Sequence, residues 1–373
     1  MNPLQRHAGD LSGAFADLGT FLPIVLGVLA LGQMDPAGVF IGFGLFSLAV
    51  ALVYRRPVPV QPMKVVGAVA IAGQLDAASL AATGALLGIV LLILAATGII
   101  SRLSRRIPVP VLSGVQLGIG LYLVWGGFRL FGDAWIIGVT ALLLLILLRQ
   151  TRLRAFTVLI VVVGISCWRF LSGEVAFPVL HPGLHLPPLT GFGVQDLALS
   201  ATTLLLPQLA LTLTNATVIT AAIAAEVFPQ DRERITPDRL ALSTGALNLL
   251  LAPLGAFPMC HGAGGLVVQH RFGARTGLAP ALFGLSCLSL GLFLGEDALK
   301  LLALLPLSAV GALLVYAGAQ LAVSRKLLRL TRWELAVVLV TGLCCVAFNV
   351  AVGLLAGLLL SLFLPSASKS GPE

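Results

Sequence analysis

Apolar runs of about 18 or more residues recur along most of the chain, and a run of that length crosses a hydrocarbon layer roughly 30 Å thick. Between polar connectors they fall near 11–31, 37–54, 58–75, 78–100, 108–126, 134–148 and 155–171, then near 198–224, 239–256, 257–270, 277–294, 299–322, 333–346 and 348–364. The pattern predicts an all-α polytopic membrane protein of about fourteen segments, seven plus seven. An odd number per half turns the second half over in the bilayer, which makes it an inverted repeat. Residues 1–171 then form the first repeat, 172–197 an external loop, 198–364 the second repeat and 365–373 a short cytoplasmic tail. The loop holds the proline-rich FPVLHPGLHLPPL stretch. Its His181 and His185 are spaced by four but separated by Pro182 and Gly183, so they read as loop residues and not as a helical metal pair.

Two segments do not suit ordinary helices. The third begins PVPVQPMK, Pro57 to Lys64, where three prolines in six residues force an extended stretch; a helix is expected to start at Pro62. The tenth repeats the plan: FPMC is extended, and the glycine-rich HGAGGLVVQHRFG continues as a short helix begun by His261. These two half-helices enter from opposite sides, so their starts are expected to meet near the midplane. Asp17 precedes Gln61 by 44 residues and Asn215 precedes Met259 by 44, so polar positions recur in corresponding places of the two halves.

Composition agrees with a membrane protein, with 58% hydrophobic and 10% charged residues and a mean hydropathy of +1.04. A soluble enzyme is excluded. The 41 glycines and 21 prolines interrupt the spans more often than simple anchors require, and such breaks survive at membrane depth only where protein or a cavity covers the freed backbone. The net charge of +8 does not point to nucleic acid, because 19 of the 23 Lys/Arg lie in connectors on one side. These include Arg55/Arg56, Arg102/Arg105/Arg106, Arg149/Arg152/Arg154, Arg232/Arg234/Arg239, Arg271/Arg275 and Arg325/Lys326/Arg329/Arg332, with Arg6 and Lys369 at the termini. Arg129, Arg169 and Lys300 stand opposite, which places both termini in the cytoplasm of a multi-pass cytoplasmic-membrane protein. Five cysteines inside or beside apolar segments imply free, buried thiols and no disulfide framework.

Two helix starts facing each other present unpaired N–H groups and together about one positive charge, a setting that stabilises an anion. Gly262, Gly264 and Gly265 let backbone approach a ligand, with Ala263 among the binding candidates, and Lys64 adds a full charge beside Gln61 and Met63. Packing glycines and a snorkelling lysine are the plainer alternatives. Asp17 is the carboxylate inside a span; it either changes protonation during transport or serves as a fixed partner of Lys64. Thr20, Gln208, Thr212 and Asn215 offer neutral donors, each equally suited to an interhelical hydrogen bond. His261 is placed to bind ligand or carry a proton, with Cys260 beside it in packing. No metal ligand set and no cofactor are indicated. Gly38 falls in a connector, where a branched residue is expected to be silent.

FADLGTFLP, PVPVQPMK, LPQLALTLTNATVI and FPMCHGAGGLVVQHRFGARTG resemble the signature blocks of the molybdate transporter family, relatives of the sulfate permeases. The likeness covers nearly the whole chain. It departs at Ala16, where the family's usual block has glycine, and it lacks the C-terminal regulatory domain that the related permeases carry. It implies molybdate uptake on a uracil-permease-like fold, with segments 1–4 and 8–11 as core and 5–7 and 12–14 as gate. The resulting expectation is a secondary active, cation-coupled importer of molybdate, with sulfate as a second candidate and a homodimer as a compatible assembly. A nucleobase–proton symporter of the same fold would place acidic residues where Gln208, Asn215 and His261 stand; a passive anion channel or exchanger is the other alternative.

Overall fold

The computed structural model describes residues 3–73, 75–100, 108–148, 150–151, 157–295, 297–302, 304–323, 330–348 and 350–363. Arg102, Arg105, Arg106, Arg149, Arg152, Arg154, Arg325, Lys326, Arg329 and the tail 365–373 with Lys369 lie outside the described residues. The fold is helical, with one two-residue strand from each half of the chain. Among the described residues, five helices are long and apolar enough to cross a membrane by length and composition, and shorter apolar helices of 10–17 residues accompany them.

In the first half, α1 (Pro3–Ala14), α2 (Leu18–Ala30) and α3 (Pro36–Tyr54) precede β1 (Gln61–Pro62), α4 (Lys64–Ile71) and α5 (Ala77–Thr97). Then come α6 (Val109–Arg129), α7 (Trp135–Leu148) and α8 (Thr157–Leu171). The second half starts with α9 (Val194–Val227). It continues through α10 (Pro237–Leu251), β2 (Met259–Cys260), α11 (Ala263–Arg271) and α12 (Leu278–Leu294). The short α13 (Asp297–Leu302) leads to α14 (Leu307–Ala322), α15 (Arg332–Ala347) and α16 (Val350–Ser361).

Local chemistry explains the boundaries. Asp35 and Asp76 accept the amides of Gly38 and Ser79 and so cap α3 and α5. The first apolar run is not one helix, because it opens between α1 and α2, and Asp17 stands in that break. The third and tenth runs also differ from expectation. Pro62 does not start a helix, since pairing with Met259 holds it extended, and α4 begins at Lys64. His261 likewise precedes its helix, which begins at Ala263 with Gly262 as the extended cap. Within α9 the chain widens into π turns over Ala201–Leu205 and Thr212–Ile219. Threonine side chains bond back to preceding carbonyls there: Thr214 to Ala210 at 2.8 Å, and Thr217 to Leu213.

The helices pack in sets: α3 on α12, α5 on α10, and α6 on both α14 and α15. The α6–α14 crossing depends on facing glycines, since a Cβ at Gly120 would sit 2.6 Å from the Gly318 carbonyl oxygen. The loop between α8 and α9 is extended and pinned. Gly183 and His185 donate to Phe293 and Leu292, Thr190 donates to Pro253, and the His181 amide reaches Asp297 at 2.5 Å. All five cysteines are free; Cys260, Cys287 and Cys345 are buried, but Cys167 is exposed and Cys344 half-buried, which departs from the expectation of burial throughout.

Candidate functional site

The site begins with an antiparallel strand pair made of residues nearly 200 positions apart. Gln61 pairs with Cys260 and Pro62 with Met259. Proline supplies no donor and holds its predecessor extended, so Pro57, Pro59 and Pro62 on one side and Pro258 on the other stop helix formation until the chains have met. The Met63 amide then donates to Pro258 at 2.9 Å, and α4 and α11 begin immediately beyond. Neither helix start has a side-chain cap from its own N-cap residue. The first amides are therefore free for partners from elsewhere.

One of those partners is Gln208 of α9, whose Oε1 accepts from the Val65 amide at 3.0 Å while its Nε2 donates to Thr212 at 3.0 Å. Gln208 and Thr212 are both buried, so this bridge ties the widened stretch of α9 to the start of α4. On the other flank Gln61 Nε2 donates to Asp17 at 2.5 Å, and Lys64 Nζ donates to Gln61 Oε1 at 3.3 Å. Among the described residues Asp17 and Lys64 form no direct ion pair; the Gln61 amide stands between them.

The glycines of α11 fit around this chain. A Cβ at Gly262 would strike the Gln61 side chain, and one at Gly265 would strike the Asp17 carboxylate. Gly264 faces open space and Ala263 is buried. Met63 is fully buried in the core beneath the helix start. Beside Lys64 lies a cavity of about 180 Å³ that Thr20 also lines, closed from the other side by Leu123 of α6 and by Ala317 and Gln320 of α14.

The structure thus brings together Asp17, Thr20, Gln61, Lys64, Gln208, Thr212 and Gly262. Two expected members stand apart. His261 is wholly buried with both ring nitrogens engaged, Nδ1 with the Pro59 carbonyl at 3.2 Å and Nε2 with Ser243 at 2.9 Å, and its ring packs edge-on against Phe46 and Tyr54. Asn215 lies on the part of α9 that packs against α11, and among the described residues no hydrogen bond reaches its side chain.

Sequence reasoning missed two residues, Asn248 and Gln320. Asn248 of α10 holds β2 at both ends of one residue, accepting from the Met259 amide at 2.8 Å and donating to its carbonyl at 2.6 Å. Gln320 reaches the Lys64 cavity from α14; Gly265, expected from the sequence as a point of close approach, yields room to Asp17. Asn248 and Gln320 were detectable only as polar residues in apolar runs. No group of three or more His, Cys, Asp or Glu suited to a metal ion occurs among the described residues.

Comparison with known proteins identifies the family and the fold. The sequence profile of the family described as "Molybdate transporter of MFS superfamily" matches residues 9–123 and 200–321, windows that hold every candidate residue named above. The chain is 30% identical to Molybdate transporter 2 of Arabidopsis thaliana over 87% of its own length and 80% of that protein's. It is 29% identical to Molybdate transporter 1 of Chlamydomonas reinhardtii, covering 85% of this chain and 84% of the other. Its backbone superimposes on the transmembrane domain of a cyanobacterium bicarbonate transporter, BicA, with a TM-score of 0.70 at 17% identity, covering 96% of this chain and 98% of that one. The murine Solute Carrier 26 family member A9 anion transporter, in the inward-facing state, gives 0.67 at 13% identity over 95% of this chain and 67% of that one. The backbone likeness establishes a uracil-permease-like fold for this multi-pass membrane protein. The sequence match, over well more than half of its residues, establishes that the chain belongs to the molybdate transporter family.

Proposed function

We propose that the protein is a secondary active importer of a tetrahedral oxyanion, molybdate first and sulfate second. The observation that carries this reading is Lys64: a cationic side chain in the first turn of a short helix, lining a cavity that Thr20 also lines. A helix start and an ammonium group together favour a compact anion with several acceptor oxygens. Transport by the named relatives supports the same substrate class.

In this reading the chain is a seven-plus-seven inverted repeat in the cytoplasmic membrane, with both termini inside and α4 and α11 as half-helices meeting at the midplane. Segments 1–4 and 8–11 form the core, which carries Lys64; segments 5–7 and 12–14 form the gate, which carries Gln320. The packing of α3 on α12 and α5 on α10, apart from α6 on α14 and α15, supports that division. A dianion entering against an inside-negative potential opposes about 2.3 kcal/mol per charge per 100 mV, so net uptake needs a co-transported cation or an exchanged anion, and a cation is the coupling proposed. Asp17, joined to Lys64 through Gln61, is the residue assigned to it. His261, held at both nitrogens, is given a structural part instead.

Calorimetry on purified protein with molybdate, tungstate, sulfate and uracil tests the substrate class. Binding of the tetrahedral anions without uracil supports the reading, and binding of uracil alone returns the chain to the nucleobase symporters. Uptake into proteoliposomes that never exceeds equilibrium would make it a passive channel or exchanger.

A further inference from the structure

A second cavity, of about 480 Å³, lies at the opposite end of α4 from Lys64. Ile71 lines it from the end of α4 and Gly73 from the turn beyond, Gln33 from the chain after α2, and Trp125 and Arg129 from α6. The seven residue steps from Lys64 to Ile71 set the two cavities about 10 Å apart along the helix. They share α4 and α6 as walls, and Ile71 lines the outer one. A Cβ at Gly27 would lie 2.9 Å from the Ile71 side chain, and one at Gly126 would lie 3.4 Å from it. Ile71 therefore packs between α2 and α6 on the path along α4 from one cavity to the other.

The charges around the outer cavity are unequal. Three cations, Arg129, Arg169 and Lys300, occupy the face that the charge pattern assigns to the outside. Arg169 pairs with Glu174 at 3.2 Å and donates to the Leu304 carbonyl at 3.0 Å, and Lys300 pairs with Asp297 at 2.5 Å. Arg129 has no ion pair among the described residues and lines the cavity. The carbonyl end of α4 carries partial negative charge and would oppose an anion there, but Gln33 Nε2 covers the Ala70 carbonyl at 2.6 Å. What the cavity presents is an exposed guanidinium, with five donors in a planar fork suited to an oxyanion.

We infer that the Arg129 cavity is an outer binding station for tetrahedral oxyanions, filled before Ile71 yields and the anion passes along α4 to Lys64. The inference rests on the transport reading above and adds to it a second, weaker site. Such a site raises the local anion concentration at the entrance and makes the capture step depend on ionic strength.

The test uses Trp125, which lines the same cavity. With Trp135, Trp168 and Trp333 changed to phenylalanine in the full chain, Trp125 is the remaining tryptophan. Quenching of Trp125 by iodide should fall several-fold in Arg129→Gln and recover in Arg129→Lys, while quenching by neutral acrylamide stays constant. Millimolar molybdate or sulfate should protect Trp125 from iodide, and should still do so in Lys64→Ala. In uptake, Arg129→Gln should raise KM by about tenfold at low salt, with the maximal rate kept. Iodide quenching equal in Arg129→Gln and the parent, or protection lost with Lys64→Ala, overturns the outer station. Calorimetry showing no molybdate binding in the parent chain would instead overturn the transport reading, a result the iodide experiment does not depend on.

Discussion

Asp17 and Lys64 are joined by the two ends of one amide: Gln61 takes the lysine on Oε1 at 3.3 Å and gives Nε2 to the carboxylate at 2.5 Å. A direct ion pair would neutralise the lysine. The intervening amide leaves its charge directed at the cavity, so Gln61 orients Lys64 without cancelling it.

Lys64→Ala is expected to weaken oxyanion binding by about tenfold to a hundredfold, the range for losing one hydrogen bond to a charged group. Lys64→Arg should lose less, because charge is kept while the wider guanidinium fits poorly beside Thr20. Calorimetric titration with molybdate measures both. Equal affinity in the alanine variant would assign Lys64 a structural part.

At Gln208 charge and hydrogen bonding separate. Gln208→Leu leaves the buried Val65 amide unpaired and should lower stability by about 1–3 kcal/mol. Gln208→Glu keeps an acceptor for that amide but sets a negative charge at the start of α4. It should fold and still lose oxyanion affinity. Thermal melts beside calorimetry distinguish the two, and a glutamate variant that binds like the parent would move the anion away from α4.

Glycines that look alike in the sequence should behave differently. Gly38 reads as a connector residue, yet it lies in α3, where a Cβ would stand 2.8 Å from the carbonyl oxygens of both Leu254 and Gly255. Gly38→Ala should therefore cost about 1–3 kcal/mol. Gly164, in α8 with nothing within 4 Å of a Cβ, should gain about 0.5–1 kcal/mol on the same change. Thermal unfolding of the two variants settles the comparison; a stable Gly38→Ala protein would mean that α3 shifts away from the Leu254 turn.

What the sequence disclosed divides along physical lines. The interruptions at β1 and β2 were legible because proline's missing donor acts within its own neighbourhood, whatever packs around it. The 44-residue spacing marked Asp17 and Gln61 as corresponding to Asn215 and Met259, but that Asp17 bonds Gln61 and not Lys64 directly was not legible. The same spacing failed for Asn215, because a repeat copies backbone position without copying partners. His261 and Asn248 were illegible for a related reason: the Pro59 carbonyl that holds the one and the Met259 backbone that the other holds are set by how distant helices meet. The break at Asp17 holds no proline, and Pro207, which stands between the wide turns of α9, does not by itself tell a widened helix from a kinked one.

Asp17→Asn bears most directly on coupling. The asparagine oxygen can still accept from Gln61 Nε2, so Gln61 and through it Lys64 should keep their places. The variant is therefore expected to fold and to bind molybdate at least as tightly as the parent, one negative charge having been removed from the neighbourhood of the anion. It should nevertheless fail to accumulate molybdate under an inward proton gradient, since an amide cannot take up the proton that offsets the dianion's charge. Binding and accumulation measured on one preparation of proteoliposomes give the answer. Loss of both together would mean that the carboxylate only orients Gln61 and Lys64, and unimpaired accumulation would assign the coupling cation to another residue.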